Sequence, residues 1–258
     1  MQKLKHLLIT AIVLFVTASS QHLSAQNISS IKWSYTKMDS TFNPKNENLS
    51  GSIIAKYSPT IDPLMEKIGH TTEEMRVFTP ESPLSNLAAD IIYNFGDSYL
   101  HKNGCKKGLD LALTNFGGIR TDLPKGNINS FNILSIFPFN NNVVILDIKG
   151  AVLREMFENF AKKGRTEALS GVKVVIEHNK LKKLLIGGKK LKDNKMYKIA
   201  TIDFLLGGGD GLYSLKKADK VTATNAVLRD VITNYIKAET AAGRDIDTKV
   251  DGRVVIIK

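Results

Sequence analysis

Two short apolar runs that each stop at glycines constrain the fold of this chain most strongly. The first run spans residues 110–115 and is followed by Gly117 and Gly118; the second spans 196–203 and leads into the glycine-rich stretch 207–211. Apolar runs of this length that are bounded by glycine are typical of buried strands that end in loops. The side chains that follow each run are therefore expected to be displayed at the end of a sheet.

The rest of the chain alternates between strand and helix patterns. Strands are predicted from β-branched and apolar content at residues 142–148, 171–177, 182–186 and 253–257. Helices are predicted from three- and four-residue apolar spacing at residues 85–99, 150–160 and 226–238, and at 53–68, where Pro59 and Pro63 are expected to start or break the helix. These patterns predict a single layered α/β domain with a largely continuous mixed sheet and helices packed on it.

The N-terminal residues have the layout of a secretory signal peptide. Lys3 and Lys5 precede an apolar run over residues 7–18, and a polar stretch ends near Ala25. A membrane-spanning helix needs about 20 apolar residues, so a permanent anchor is the weaker alternative. We expect a signal peptide at 1–25, an N-terminal extension with a helix at 26–75, and the main domain at 76–258. The protein is expected to be exported to the periplasm or the extracellular space, without a stable membrane anchor.

The formal net charge of +11 suits an anionic ligand. Many of the lysines lie between residues 180 and 195, where they interleave with a hairpin pattern and lack aromatic neighbours. A solvated strand face explains them better than a groove for a nucleic-acid polymer, so no such partner is expected.

The loop after the first apolar run carries Asn115, Gly117, Gly118 and Arg120. Glycines let the backbone approach a ligand closely, and a guanidinium presents a planar fork of donors suited to phosphate or carboxylate. This stretch alone does not decide between an anion site and a tight turn with a surface arginine.

The loop after the second run holds Phe204, Gly209 and Asp210. A carboxylate on a glycine loop can accept hydrogen bonds from a vicinal diol or contribute to a calcium site, and it can also belong to a plain turn. Phe137 and Phe139 flank a proline before the strand at 142–148. An exposed phenyl ring there would stack on a flat ligand, whereas a buried one would be core.

Four stretches in this order and spacing resemble the C-terminal domain of the 5′-nucleotidase family. They are residues 81–90 (ESPLSNLAAD), 115–120 (NFGGIR), 138–140 (PFN) and 197–211, and the resemblance runs from about Arg76 to the end. It implies a substrate-binding domain whose loops hold the nucleoside part of a nucleotide.

The resemblance also implies a role for each displayed residue. Phe139 and Phe204 would sandwich the base, and Asp210, on its loop with Gly209, would accept from the ribose hydroxyls. Asn115 would contact the base or sugar, Arg120 would reach phosphate or ribose, and Gly117 and Gly118 would shape the loop. Two departures are visible: residues 78–80 stand where the family commonly has a phosphate-binding arginine, and Phe116 replaces a residue that is often small.

Hydrolysis in this family depends on two metal ions held in a separate N-terminal domain by histidines, aspartates and an asparagine. After residue 25 the histidines are His70, His101 and His178, and none stands in such a motif. We therefore expect no catalytic residue, no metal ligand and no cofactor in this chain. The expected function is substrate recognition in a 5′-nucleotidase-type hydrolase system of nucleotide catabolism, with two divalent metals in a separate metallophosphatase partner. The alternative is a stand-alone module that binds nucleosides or sugar phosphates without hydrolysis.

Overall fold

A computed structural model describes residue 33 and residues 49–258, so the predicted signal peptide lies outside the described residues. The helices run over Leu49–Met65 (α1), Pro83–Lys102 (α2), Ser130–Ile136 (α3), Gly150–Lys163 (α4), Asp203–Leu206 (α5) and Leu228–Ala241 (α6). The strands run over Lys67–Thr71 (β1), Leu111–Thr114 (β2), Gly126–Asn129 (β3), Asn142–Lys149 (β4), Ala168–Ser170 (β5), Val172–Glu177 (β6), Lys180–Ile186 (β7), Lys189–Lys190 (β8), Met196–Ile202 (β9), Lys220–Val227 (β10) and Val254–Ile257 (β11).

The largest sheet has five strands in the order β10-β4-β9-β2-β5. Strands β2 and β9 are parallel, and the other neighbours in this sheet are antiparallel. A second sheet has the order β11-β6-β7-β8, with β11 parallel to β6, and β1 forms an antiparallel pair with β3. The predicted mixed α/β architecture is confirmed, but the described strands form three sheets rather than one largely continuous sheet. Strand pairing is fixed by contacts between residues distant in sequence, which local patterns do not encode.

The core lies between the sheets and the amphipathic helices. Helix α2 buries Leu87, Ile91 and Ile92 against β2, β5 and β9. Helix α4 buries Phe157 against Phe160 in an edge-to-face contact and packs on β4 and β7. Within residues 49–258, no helix has both the length and the apolar character needed to cross a membrane.

Two details near the N-terminal side differ from the sequence patterns. Helix α1 continues through Pro59 and Pro63, so the prediction that either proline starts or breaks it is wrong. The φ angle of proline is compatible with a helix. Proline lacks the N–H donor and its ring clashes with the preceding turn, so it weakens a helix without preventing one. Strand β1 was not predicted. It precedes the predicted domain start at 76 and pairs with β3; the boundary itself stays a prediction.

Candidate functional site

The topology of the five-stranded sheet brings three loops to one edge. Strands β2 and β9 are parallel neighbours, with Ala112 opposite Ala200, so their carboxyl ends lie at the same edge. Strand β4 is antiparallel to β9, with Val143 opposite Ile202, so its amino end lies there too. The loops after β2, before β4 and after β9 therefore meet.

A cavity of about 230 Å³ opens between these loops. Its lining residues are Asn115, Gly117, Gly118, Arg120, Phe139, Asn141, Phe204 and Asp210. The structure thus brings seven of the eight predicted site residues to one cavity, and Asn141 is a residue that the sequence did not indicate. Pockets for drug-sized ligands span roughly 300–1,000 Å³, so this cavity suits a flat ring and part of a larger ligand.

The two phenylalanines at the cavity are exposed while their neighbour is core. Phe139 is 47% exposed and Phe204 is 45% exposed, whereas Phe137 is only 5% exposed. Both rings in the cavity therefore have a free face, and the core alternative holds for Phe137 alone. The guanidinium of Arg120 lies 6.0 Å from the Phe139 ring centroid, within cation–π range.

Gly209 is the predicted residue that does not line the cavity, and it lies against the Phe204 ring. A Cβ built at Gly209 would come within 2.5 Å of Cζ of Phe204. The absence of a side chain therefore lets the ring rest on the loop backbone. The adjacent Asp210 has φ +52°, in the left-handed region, which an aspartate tolerates better than most residues.

Asn115 connects two of the loops. Its side-chain Nδ2 donates to Oδ2 of Asp210 at 2.6 Å, and the residue is only 5% exposed. The other amide atom, Oδ1, is buried and has no hydrogen-bond partner among the described residues. A Cβ at Gly118 would lie 2.7 Å from this oxygen, so the glycine leaves the room that the Asn115 amide occupies.

Arg120 is exposed and is the cation of the cavity lining. Its Nη1 donates to the carbonyl of Gly117 at 3.2 Å, and its backbone N–H donates to the carbonyl of Ile136 at the end of α3. The backbone is thus anchored to α3, and the guanidinium remains at the cavity mouth beside the Phe139 ring.

Glu167 is a buried acid next to the site that sequence reasoning missed. It is 6% exposed, and its Oε2 accepts a hydrogen bond from the Phe116 N–H at 2.9 Å. Burial raises the pKa of this carboxyl and the carboxylate of Asp210 adds to the rise. No sequence signal pointed to Glu167, because it follows a polar stretch typical of a surface loop.

The two departures from the family pattern lie outside the cavity lining. Phe116 is half-buried and does not line the cavity. Residues 78–80 do not line it either. Arg76, the arginine nearest to them, is exposed, and its Nε donates to Glu74 at 2.7 Å.

No group of three or more His, Cys, Asp or Glu side chains within the described part of the chain is placed to hold a metal ion. His70 lies 3.1 Å from Asp245, and His101 lies 3.6 Å from Asp97. Each of these two histidines therefore faces one carboxylate on the surface.

Comparison with known proteins identifies relatives of this chain. Residues 67–217 match the profile of the 5′-nucleotidase C-terminal domain. Cell wall protein Lmo0130 of Listeria monocytogenes is 33% identical over 191 residues, which are 68% of this chain and 24% of that protein. Protein UshA of Escherichia coli is 30% identical over 148 residues, which are 56% of this chain and 27% of UshA. The chain thus spans about a quarter of the length of these curated relatives.

Solved structures share the fold. The 5′-nucleotidase precursor from Thermus thermophilus superposes with a TM-score of 0.67 at 21% identity, over 81% of this chain and 43% of that one. NAD nucleotidase from Haemophilus influenzae superposes with a TM-score of 0.61 at 18% identity, over 80% of this chain and 40% of that one. Because the profile match covers more than half of the sequence, this chain belongs to the family of 5′-nucleotidase C-terminal domains.

Proposed function

We propose that this domain binds the nucleoside part of a nucleotide in the cavity formed by the Asn115, Phe139 and Phe204 loops. In this role it is the substrate-recognition part of a 5′-nucleotidase-type hydrolase system in nucleotide catabolism. The observation that supports this most is that two exposed phenyl rings and one carboxylate, Asp210, line the same cavity.

The base is the part of the ligand that the rings suit. An aromatic side chain with a free face stacks on any nucleobase, and such stacking contributes roughly 1–3 kcal/mol per base. Phe139 and Phe204 come from loops on different strands, so a base between them would be contacted from both loops. This supports a sandwich of the base.

The sugar is the part that Asp210 suits. Asn115 donates to Oδ2 of Asp210, and within the described residues Oδ1 of Asp210 makes no hydrogen bond. A carboxylate has lone pairs for further donors, so it can accept from the two hydroxyls of a ribose. Nε and Nη2 of Arg120 are likewise unpaired within residues 49–258, which leaves donors for a phosphate or a ribose oxygen.

Removal of the phosphate is assigned to a partner. Two metal ions hydrolyse phosphate esters by polarising the phosphoryl group and generating hydroxide, and we propose that a separate metallophosphatase supplies them, so that this chain needs no cofactor of its own. The formal net charge is +11, and without Lys3 and Lys5 of the predicted signal peptide it is +9, which would help to gather anionic nucleotides. We also propose export to the periplasm or cell exterior without a stable anchor. The N-terminal sequence pattern supports this, as does the similarity to a cell wall protein.

The alternative is a stand-alone module for nucleosides or sugar phosphates. The unpaired donors of Arg120 favour it for a sugar phosphate, since a phosphate would engage them without any base between the rings.

Calorimetric titration with adenosine, AMP and ribose 5-phosphate tests the proposal. We expect adenosine and AMP to bind. Ribose 5-phosphate is expected to bind at least about tenfold more weakly, because it has no base to stack on the phenyl rings. Asp210→Ala is expected to weaken adenosine binding, whereas Asp245→Ala, which removes an exposed aspartate beside His70, leaves it unchanged. Tighter binding of ribose 5-phosphate than of adenosine would support the alternative, and no binding of adenosine or AMP would contradict nucleoside recognition.

An assay of phosphate release from AMP with Zn²⁺ or Mn²⁺ tests the assignment of hydrolysis. We expect no release by this protein alone. Metal-dependent release would show that the chain hydrolyses AMP itself and would overturn the assignment to a partner.

A further inference from the structure

Glu167 lies beside the loop that carries Asn115, because it precedes β5, the strand that pairs with β2. In the antiparallel ladder of β2 and β5, Thr114 is paired with Ala168. Asn115 and Glu167 are the next residues along the chain, just beyond this last pair. The Glu167 carboxylate then accepts from the N–H of Phe116, the first residue of the turn Phe116–Gly118.

The environment of this carboxylate is unfavourable for a charge. It is 6% exposed, and the hydrogen bond from Phe116 is the one bond to it within the described residues. The charged groups that act on it are Asp210, which opposes ionisation, and Arg165 and Lys163, which favour it. A buried carboxylate with so little compensation costs folding free energy, and such groups cluster at functional sites.

The contacts continue from Glu167 to the cavity. The turn that Glu167 holds is closed by the Gly118 N–H, which donates to the Asn115 carbonyl at 3.2 Å. The Asn115 side chain then donates to Asp210 at 2.6 Å. Hydrogen bonds thus connect the buried Glu167 carboxylate to the loop that carries Asn115, and that loop to the one that carries Asp210.

We propose that Glu167 is a positioning residue of the nucleoside site, whose carboxylate fixes the Phe116–Gly118 turn so that Asn115 stays against Asp210. The inference rests on the proposed function for its effect on ligand binding. Its effect on the Asn115 amide does not depend on any ligand.

Two substitutions separate positioning from charge. Glu167→Gln keeps an acceptor of the same size for the Phe116 N–H and removes the charge. Glu167→Met keeps a similar length and removes the acceptor. The readouts are the side-chain amide signals of Asn115 in a ¹⁵N correlation spectrum, assigned by their loss in Asn115→Ala, together with the adenosine dissociation constant and the thermal midpoint at pH 7.

We expect Glu167→Met to shift the Asn115 amide signals and to raise the adenosine dissociation constant roughly three- to tenfold, as expected for the loss of one well-placed hydrogen bond. Its thermal midpoint is expected to stay about level, since removal of the poorly compensated buried charge offsets the loss of the hydrogen bond from the Phe116 N–H. Glu167→Gln is expected to keep the amide signals and to stay within about twofold of the wild-type dissociation constant, which corresponds to a change well below one hydrogen bond.

Three results would overturn the proposal. The first is unchanged Asn115 signals in Glu167→Met. The second is weaker binding that tracks a lower thermal midpoint, because that is the mark of a merely structural role. The third is a loss in Glu167→Gln as large as in Glu167→Met, because the charge would then matter rather than the position. If the wild-type protein does not bind adenosine, the proposed function fails, and the amide signals still decide whether Glu167 positions Asn115.

Discussion

Gly209 and Glu167 each support one cavity residue without lining the cavity. Gly209 provides the surface on which the Phe204 ring rests, and Glu167 holds the turn next to Asn115. Sequence reasoning indicated Gly209 because it belongs to a glycine loop beside an aspartate. It did not indicate Glu167, since the burial of that side chain depends on the pairing of β5 with β2, which residue types do not reveal.

Gly209→Ala is expected to weaken nucleoside binding by moving the Phe204 ring. The added Cβ would come within 2.5 Å of a ring carbon of Phe204 and within 2.7 Å of another, so the ring must shift. Gly209 does not have a positive φ, so the backbone itself accepts alanine. Calorimetry with adenosine should show a loss comparable with that of Phe204→Ala. An unchanged dissociation constant would show that the ring does not contact the ligand.

The stability of the protein is expected to depend on pH through Glu167. Burial raises its pKa above the ordinary value of 4.5. Between the ordinary and the raised pKa, the folded protein holds a proton that the unfolded chain has released, so the free energy of unfolding falls as pH rises through this window. Glu167→Gln does not titrate, so it should be more stable than wild type above the window, with the difference shrinking below it.

Urea unfolding of both proteins at pH values from about 4 to 8 measures this difference. The expectation is contradicted if the difference in the free energy of unfolding between the two proteins stays constant with pH. It is also contradicted if the wild type becomes more stable relative to the variant as pH rises. Either result would show that burial does not destabilise the Glu167 charge.

Helix α2 shows how an element is set by local chemistry. Ser82 caps its start, with the Ser82 Oγ accepting from the Ser85 N–H at 3.1 Å and the Ser82 N–H donating to the Ser85 Oγ at 2.9 Å. Pro83 follows at the first helical position, where its missing N–H costs nothing. The helix was predicted at 85–99 from its apolar spacing, which is also a local signal, and the observed helix extends two residues further at its start and three at its end.

Ser82→Ala is expected to destabilise the protein by about 1 kcal/mol, because an N-cap hydrogen bond is lost while the rest of the helix is unchanged. Ser98→Ala is the matched control, an exposed serine within the same helix. Urea unfolding should show a lower midpoint for the first variant and a change below about 0.5 kcal/mol for the second. Equal midpoints for the two variants would show that the cap does not stabilise this helix.

The strands in the middle of the largest sheet were predicted because they are buried. Strands β2, β4 and β9 form the middle of the five-stranded sheet and read as apolar runs. Edge strand β10 was missed because its polar and exposed residues give no such run. The short pair of β1 and β3 was missed for a different reason, since its strands are brief and meet across a long stretch of chain.

At the scale of the whole molecule, the sequence indicated which side chains lie together at the cavity. It did not indicate the arrangement of the sheets that brings them together. Seven predicted residues line one cavity because each follows or precedes a strand of the same sheet. Motif order predicted that outcome without the sheet order. The division into three sheets could not be predicted, since it depends on pairings between strands distant in sequence.

A bound nucleoside is expected to stabilise the folded molecule as a whole. A ligand at 100 times its dissociation constant adds about 2.7 kcal/mol to the free energy of unfolding. For a domain of this size, that corresponds to a rise of roughly 5–11 °C in the thermal midpoint. A thermal scan with adenosine should show this rise, and Asp210→Ala should need a higher adenosine concentration for the same rise. An identical concentration dependence in the two proteins would place the ligand away from Asp210.

The central claim is that a nucleobase is held against the exposed phenyl rings of this cavity. The adenosine dissociation constant of Phe204→Ala, measured beside Phe131→Ala, tests it most directly. Phe131 is also 45% exposed and does not line the cavity, so its removal changes the same type of surface elsewhere. We expect adenosine to bind about 5- to 150-fold more weakly to Phe204→Ala, as the loss of one stacking contact implies, and within twofold of wild type to Phe131→Ala. Equal affinities in the two variants would contradict the claim.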